Sequence, residues 1–97
     1  MITDMKHNPA KVYVGVKADF REDGVMLPRQ LTWEDGQIYE IDRVLDIRPA
    51  FAAKAGGRGD RYTIKVFGRQ TYLFFERNPN ADRDRVLGRW FVERRAV

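Results

Sequence analysis

The feature that most constrains this 97-residue chain is an alternation of apolar and polar residues with a period of two, broken at short intervals by turn signals. Its clearest instance runs from Lys11 to Phe20, where Val12, Val14 and Val16 share one face. A period of two is typical of a half-buried β-strand. Many of the connections between such runs are only about two to four residues long, which is too short for parallel crossovers and therefore predicts antiparallel pairing.

Turn signals separate six predicted strands. The Asp-Gly pairs at 23–24 and 35–36 and the Gly-Arg pair at 68–69 indicate tight turns, because glycine adopts a positive φ at little cost. The strands are predicted at residues 11–20, 25–33, 37–48, 61–67, 71–77 and 89–94. We therefore predict the all-β class: a small antiparallel barrel or strongly bent sheet of about six strands, SH3-like, formed by residues 11–97 and preceded by a flexible tail at 1–10.

Irregular points in the pattern give further expectations. Pro28 lacks an amide donor, so the second strand should lie at an edge there or contain a bulge. The third strand is long enough to bend and serve two sides of a barrel. We expect Pro49 to end it, followed by one helical turn at 50–55 and a glycine-rich loop at 56–59, which could hold an anion through its backbone amides.

The last segment, residues 82–95, fits two descriptions. Its apolar residues Val86, Leu87, Trp90 and Phe91 have helical spacing, whereas the run Trp-Phe-Val favours a strand. Gly88 interrupts the helical pattern. We therefore predict a strand.

The residues that catalysis and metal binding require are scarce. The chain has no cysteine and no serine, and its one histidine, His7, lies in the polar N-terminal segment. Disulfides, a thiolate zinc site and a serine or thiol nucleophile are therefore excluded. The acidic residues fall in turns or at outward positions, not in a dry pocket that would tune a general acid or base. We predict no catalytic residues, no cofactor and no metal site.

Several features favour a cytoplasmic location. No run approaches the ~18 apolar residues that a membrane span needs. The first residues lack the apolar run of a signal peptide. The absence of cysteine agrees with a reducing compartment. We expect a cytoplasmic protein with no membrane partner.

Positive charge is concentrated in the second half of the chain. Residues 1–57 hold eight Lys/Arg and nine Asp/Glu, a net charge of −1, whereas residues 58–97 hold ten Lys/Arg and five Asp/Glu, a net charge of +5. Thirteen of the eighteen cations are arginine, whose planar fork suits phosphate and whose flat face stacks on rings. The excess of arginine is equally explained by a solvated surface encoded by a GC-rich genome.

Cations and aromatic residues interleave in this basic half, which is the pattern of a surface that binds single-stranded nucleic acid. The candidate nucleic-acid or anion-binding residues are Arg58, Arg61, Lys65, Phe67, Arg69 and Arg89. Strand parity places Arg61, Lys65 and Phe67 on one face, with Phe67 as the stacking ring. We predict a non-catalytic module that binds nucleic acid or another polyanion. The alternative is a protein-interaction module or subunit that uses exposed aromatic residues or a sheet edge.

Arg43 is the most unusual single residue, because it falls at the apolar parity of the third strand. Two explanations are structural: a carboxylate pairs with it, or its aliphatic stem lies along the core. The functional explanation is a ligand contact at the mouth of a barrel.

The segments 33–44 (WEDGQIYEIDRV), 56–64 (GGRGDRYTI) and 89–93 (RWFVE) resemble a family of small bacterial β proteins. The resemblance covers about residues 11–95. It implies a compact fold like an SH3 barrel and a bacterial, cytoplasmic setting. It implies no activity and no functional residues.

Overall fold

A computed structural model describes residues 11–52 and 57–94, without the side chains of 51, 52, 57 and 58. The predicted tail at 1–10 lies outside the described residues. The described residues form seven strands and one helical turn: β1 (Lys11–Phe20), β2 (Met26–Thr32), β3 (Ile38–Glu40), β4 (Arg43–Ala52), β5 (Gly57–Val66), β6 (Arg69–Arg77), α1 (Ala81–Asp84) and β7 (Gly88–Glu93). The all-β prediction is confirmed, with seven strands where six were expected.

All strands pair antiparallel in one sheet of order β3-β2-β1-β7-β6-β5-β4. The two edge strands, β3 and β4, are consecutive in the chain and are separated only by Ile41 and Asp42. The Ile41 amide donates to the Arg29 carbonyl at 2.9 Å in β2, and the Asp42 amide donates to the Lys65 carbonyl at 2.8 Å in β5. The predicted third strand therefore bends and contributes to both sides, which curls the sheet into a half-barrel.

Strand β1 also serves two parts of the sheet. Its first four residues, 11–14, pair with β7, and its remaining residues, 15–20, pair with β2. Beyond Val16 the strand leaves the core, and Phe20 is 67% exposed. The alternation in β1 thus correctly predicts a strand. Its apolar side chains, however, pack against the core only as far as Val16, close to where the pairing with β7 ends.

The two Asp-Gly turns have the same geometry. Gly24 and Gly36 both have φ of 88°, as predicted. The Asp23 carboxylate accepts a hydrogen bond from the Val25 amide at 3.0 Å, and the corresponding bond in the second turn is 2.9 Å long. These short-range bonds fix both hairpins locally.

The core lies on the concave side of the curled sheet. Its buried members are Leu31, Tyr62, Ile64, Leu73 and Phe75, with partly buried residues such as Trp33, Tyr39 and Trp90 packed around them. The Tyr62 hydroxyl donates to the Met26 carbonyl at 2.9 Å, which ties β5 to β2 across the core. Burial raises the pKa of Tyr62, and the nearby Asp60 charge adds to the increase.

Two bulges shift the register of β2 and β4. In β2, the register against β1 shifts at Arg29, so Pro28 is buried and lies beside a bulge, as its missing amide predicted. In β4, the register shifts at Leu45, between Val44 and Asp46. Arg43 is consequently exposed rather than at a core position, and Val44 packs against the core in its place.

Strands β4 and β5 are longer than predicted. Pro49 does not end the strand, which continues to Ala52, and Gly57 to Gly59 belong to β5 rather than to a loop. Gly59 is required there because a Cβ atom would collide with the carbonyl oxygen of Phe75 on β6. The helical turn predicted at 50–55 is wrong at 50–52, which continue strand β4. Its other half lies within residues 53–56, outside the described residues.

The ambiguous last segment forms a strand, as predicted, over Gly88–Glu93. Within residues 11–52 and 57–94, helix is limited to α1, whose N-cap is Asn80. The Asn78 side chain donates to the Asp84 carboxylate at 2.8 Å and to the Val86 carbonyl at 2.7 Å, and so organises the connection into β7.

Candidate nucleic-acid interface

The sheet formed by β1, β7, β6, β5 and β4 has an outer face on the side away from the core. On β5, Tyr62 and Ile64 point to the core, so Arg61, Thr63 and Lys65 lie on the outer face. Directly opposed residues share a face, which extends this surface to the neighbouring strands. One row across the sheet consists of Tyr13, Phe91, Phe74, Arg61 and Arg48.

Two pairs of like charges face each other between β4 and β5. Arg43 lies opposite Lys65, and Arg48 lies opposite Arg61. Directly opposed like charges destabilise a sheet. The two pairs are four residues apart on β5, a separation of about 13 Å. We call Arg43, Arg48, Arg61 and Lys65, with Tyr72, the basic surface.

Tyr72 lies opposite Thr63, between the two cation pairs, and is 44% exposed. The Arg61 guanidinium lies over its ring at 4.6 Å from the centroid. The Nε atom of Arg61 is buried and has no hydrogen-bond partner among the described residues. Asp46 lies opposite Thr63 and accepts a hydrogen bond from Arg48 at 2.7 Å. Asp42 lies at the Phe67 end, where its carboxylate accepts a hydrogen bond from the Gly68 amide at 3.3 Å. The four cations with Asp46 and Asp42 together carry a net charge of +2.

Phe67 occupies the turn between β5 and β6. It is 78% exposed and has φ of 54°, which is unusual for a bulky residue. Its ring contacts Tyr39 edge-on, with centroids 5.7 Å apart. Phe67 therefore lies at the end of the basic surface, two residues beyond Lys65, rather than between the cations.

The other candidates are scattered. Arg69 is exposed and lies opposite Val66, which packs against the core, so it does not share the face of Arg61. Arg89 lies on β7, where it is opposite Glu76. The Arg58 side chain lies outside the described residues. Of the six predicted residues, the structure brings together Arg61 and Lys65, with Phe67 at their end.

A second group of charged residues on the outer face is centred on the Glu76 carboxylate. Lys11 donates a hydrogen bond to the Glu76 carboxylate at 3.2 Å, and the Tyr13 hydroxyl donates to it at 2.8 Å. The Arg89 guanidinium lies over the Tyr13 ring at 3.4 Å from the centroid. We call these four residues the Glu76 cluster. Lys11 and Tyr13 pack against Phe91, whose ring stacks on Phe74 with centroids 4.9 Å apart.

The pKa directions agree with a network that stabilises both charges. Burial alone raises the pKa of Glu76, but hydrogen bonds from Tyr13 and Lys11 and the charges of Lys11 and Arg89 outweigh it and lower the pKa below its ordinary value. Burial lowers the pKa of Lys11, but its contacts with Tyr13 and Glu76 raise it overall. The Glu76 cluster is thus satisfied internally.

Arg48 and Tyr72 are not among the predicted site residues, and the sequence suggests Arg43 only as a ligand contact at the mouth of a barrel. The bulge at Leu45 places Arg43 on the surface, and a bulge has no reliable local signature in one sequence. Arg48 joins Arg61 only through the register of β4 on β5. The signal that was available for Tyr72 is its position in the basic, aromatic half of the chain.

The described residues contain no group of three His, Asp or Glu side chains placed to hold a metal ion. In the same part of the chain, no helix has the length and apolar character needed to cross a membrane. Comparison of the chain with family models, curated proteins and solved structures found no match. The fold is therefore described from the structure itself.

Proposed function

We propose that this protein is a non-catalytic module that binds nucleic acid or another polyanion through the basic surface. The proposal is carried by two pairs of directly opposed cations on one face of the sheet, Arg43 with Lys65 and Arg48 with Arg61. An arrangement that destabilises the sheet is explained by a ligand that neutralises it. We also propose that the protein is related to small bacterial SH3-like proteins and that it acts in the cytoplasm.

The spacing of the cations suits an extended anion. From Arg61 to Lys65 the basic surface is about 13 Å long, at the rise of an extended strand. It offers four cations along this length, and guanidinium groups bind phosphate oxygens through two hydrogen bonds. The basic surface is thus matched to a chain of three or four phosphates, as a rough count from one phosphate to each cation.

A salt-dependent titration tests the proposal. We expect a fluorescently labelled oligonucleotide to bind at about 50 mM salt, with log affinity falling linearly with log salt. For three to four phosphate contacts on a single strand, the slope should be about −2 to −3. The double variant Arg43→Gln/Arg48→Gln should reduce the slope by about 1.4, because two contacts are lost.

A charge-matched control separates a site from total charge. Lys17 and Arg21 are exposed residues on the β1–β2 hairpin, away from the basic surface. The variant Lys17→Gln/Arg21→Gln has the same net charge as the test variant and should leave affinity and slope nearly unchanged. Equal losses in the two variants, or no binding by the unmodified protein, would contradict the proposed site.

A protein-interaction role is the second candidate, and Phe20 favours it. Its side chain is 67% exposed near the end of the β1–β2 hairpin, so this large apolar ring is not used in the core. Val86 and Leu87, before β7, are 50% and 56% exposed. If the titration shows no oligonucleotide binding, these exposed apolar side chains become the leading candidates for a protein contact, and Phe20→Ser is the variant that tests the hairpin against a partner.

A further inference from the structure

We infer that Tyr72 is a base-stacking site and that Arg61 exchanges its contact with this ring for a phosphate when nucleic acid binds. The inference rests on the proposed function and narrows its ligand to single-stranded nucleic acid. In a single strand the base faces are accessible to a protein ring, whereas in a duplex they are stacked on each other.

The position of Tyr72 supports this role. Its ring is 44% exposed and lies on β6 directly opposite Thr63, midway between the two cation pairs of the basic surface. A phosphate held by Arg61 and Arg48 would therefore carry its base toward this ring. Phe67, the ring expected from the sequence, lies in the turn at the end of the surface and contacts Tyr39.

Arg61 is placed to move. Its guanidinium covers the face of Tyr72 that a base would use. Its Nε atom has no hydrogen-bond partner among the described residues, and it lies opposite another arginine. A phosphate would supply the missing acceptor and neutralise the repulsion, and the vacated ring face would then accept the base.

Tyr13 provides a matched comparison on the same sheet face. It is 37% exposed and is also covered by a guanidinium, that of Arg89. Its hydroxyl, however, is bonded to Glu76, and Arg89 has Glu76 opposite it. The Tyr13 site is thus satisfied without a ligand, so a base should not displace Arg89.

The experiment compares two oligonucleotides with the same number of phosphates. One is an eight-residue oligothymidylate, and the other has the same backbone with abasic sites in place of the bases. Both are titrated at low salt against the unmodified protein, Tyr72→Leu, Tyr13→Leu and Phe67→Leu. Thermal unfolding establishes that each variant is folded, and the comparison of the two ligands on the unmodified protein needs no variant.

We expect the thymidylate to bind about tenfold more tightly than the abasic strand. Tyr72→Leu should abolish this difference, whereas Tyr13→Leu and Phe67→Leu should preserve it. Equal affinity of the unmodified protein for both strands would overturn the inference and leave the polyanion proposal standing. Loss of the difference in Phe67→Leu rather than Tyr72→Leu would overturn the assignment to Tyr72. If neither strand binds, the proposed function itself fails.

Discussion

Two arginine–tyrosine pairs lie on the outer face of the same sheet and differ in their electrostatic surroundings. Arg89 covers Tyr13 and lies opposite Glu76, whereas Arg61 covers Tyr72 and lies opposite Arg48. The first pair belongs to a network in which hydrogen bonds satisfy the Glu76 carboxylate. The second belongs to a surface with excess positive charge and an unbonded Nε atom. The arginine and tyrosine alone therefore do not distinguish a structural pair from a pair that binds a ligand. The distinction depends on the residue that faces the arginine on the neighbouring strand.

The Glu76 cluster also depends on a close approach of two strands. A Cβ atom at Gly88 would collide with the Glu76 carbonyl oxygen and lie 2.6 Å from Cζ of the Phe75 ring. Gly59 meets the same stretch of β6 from the other side. The backbone that carries Glu76 is thus held between two glycines, and the basic surface has no such requirement in the residues that the structure describes.

The largest effect is expected from filling this contact. Gly88→Ala should lower the free energy of unfolding by about 2–3 kcal/mol, because the added methyl group forces β6 and β7 apart. Gly15→Ala is the control, since its Cβ atom would meet Thr32 Cβ at 3.7 Å, an ordinary contact. Urea denaturation measures both. Equal midpoints for the two variants would mean that β7 does not approach β6 as closely as described.

Removing the charge at the centre of the Glu76 cluster should have the next largest effect. Glu76→Gln leaves Lys11 and Arg89 without their carboxylate and should destabilise the protein by about 1–3 kcal/mol. The comparison variant is Asp46→Asn, whose carboxylate is 42% exposed and paired with Arg48, so its loss should be below about 1 kcal/mol. Denaturation curves at neutral pH measure the free energy of unfolding of both variants. A larger loss of stability in Asp46→Asn than in Glu76→Gln would contradict the comparison.

The pH dependence of stability should report part of the same interaction. Because folding lowers the pKa of Glu76, its contribution is present above its ordinary pKa of 4.5 and is lost as the pH falls through the folded value. Folding raises the pKa of Lys11, so its contribution is present below 10.5 and is lost as the pH rises through the folded value. Both declines should shrink in Glu76→Gln. Unfolding free energies of Glu76→Gln are measured across the acid and alkaline ranges. If their dependence on pH matches that of the unmodified protein, this network is ruled out.

The hairpins were predictable because their signals are local. Asp23 and Asp35 bond to amides two residues ahead, and the following glycines adopt positive φ, so five residues contain all the chemistry of each turn. The final strand was also predictable, since Gly88 and the Trp-Phe-Val run oppose a helix. Strand existence and antiparallel order follow from such short-range information.

The basic surface was only partly predictable because it depends on register. Arg61 and Lys65 share a face by simple alternation within β5. Arg43 reaches that face only because an extra residue at Leu45 reverses the parity of β4. The glycine-rich composition predicts a loop at Gly59, whereas in the sheet this residue permits β5 and β6 to approach. Long-range pairing thus decides which cations become neighbours.

The smallest effect concerns the repulsion between Arg48 and Arg61. A single variant, Arg61→Gln, removes the repulsion but also the contact with Tyr72, worth about 0.5–1 kcal/mol, so its net effect on stability should be close to zero. A double-mutant cycle with Arg48→Gln isolates the coupling, which should be repulsive by about 0.2–1 kcal/mol. The corresponding cycle of Arg89→Gln with Glu76→Gln should give an attractive coupling. Salt should weaken both couplings, because exposed charges are screened. An attractive coupling between Arg48 and Arg61 would show that the basic surface is already satisfied and would remove the reason for a ligand there.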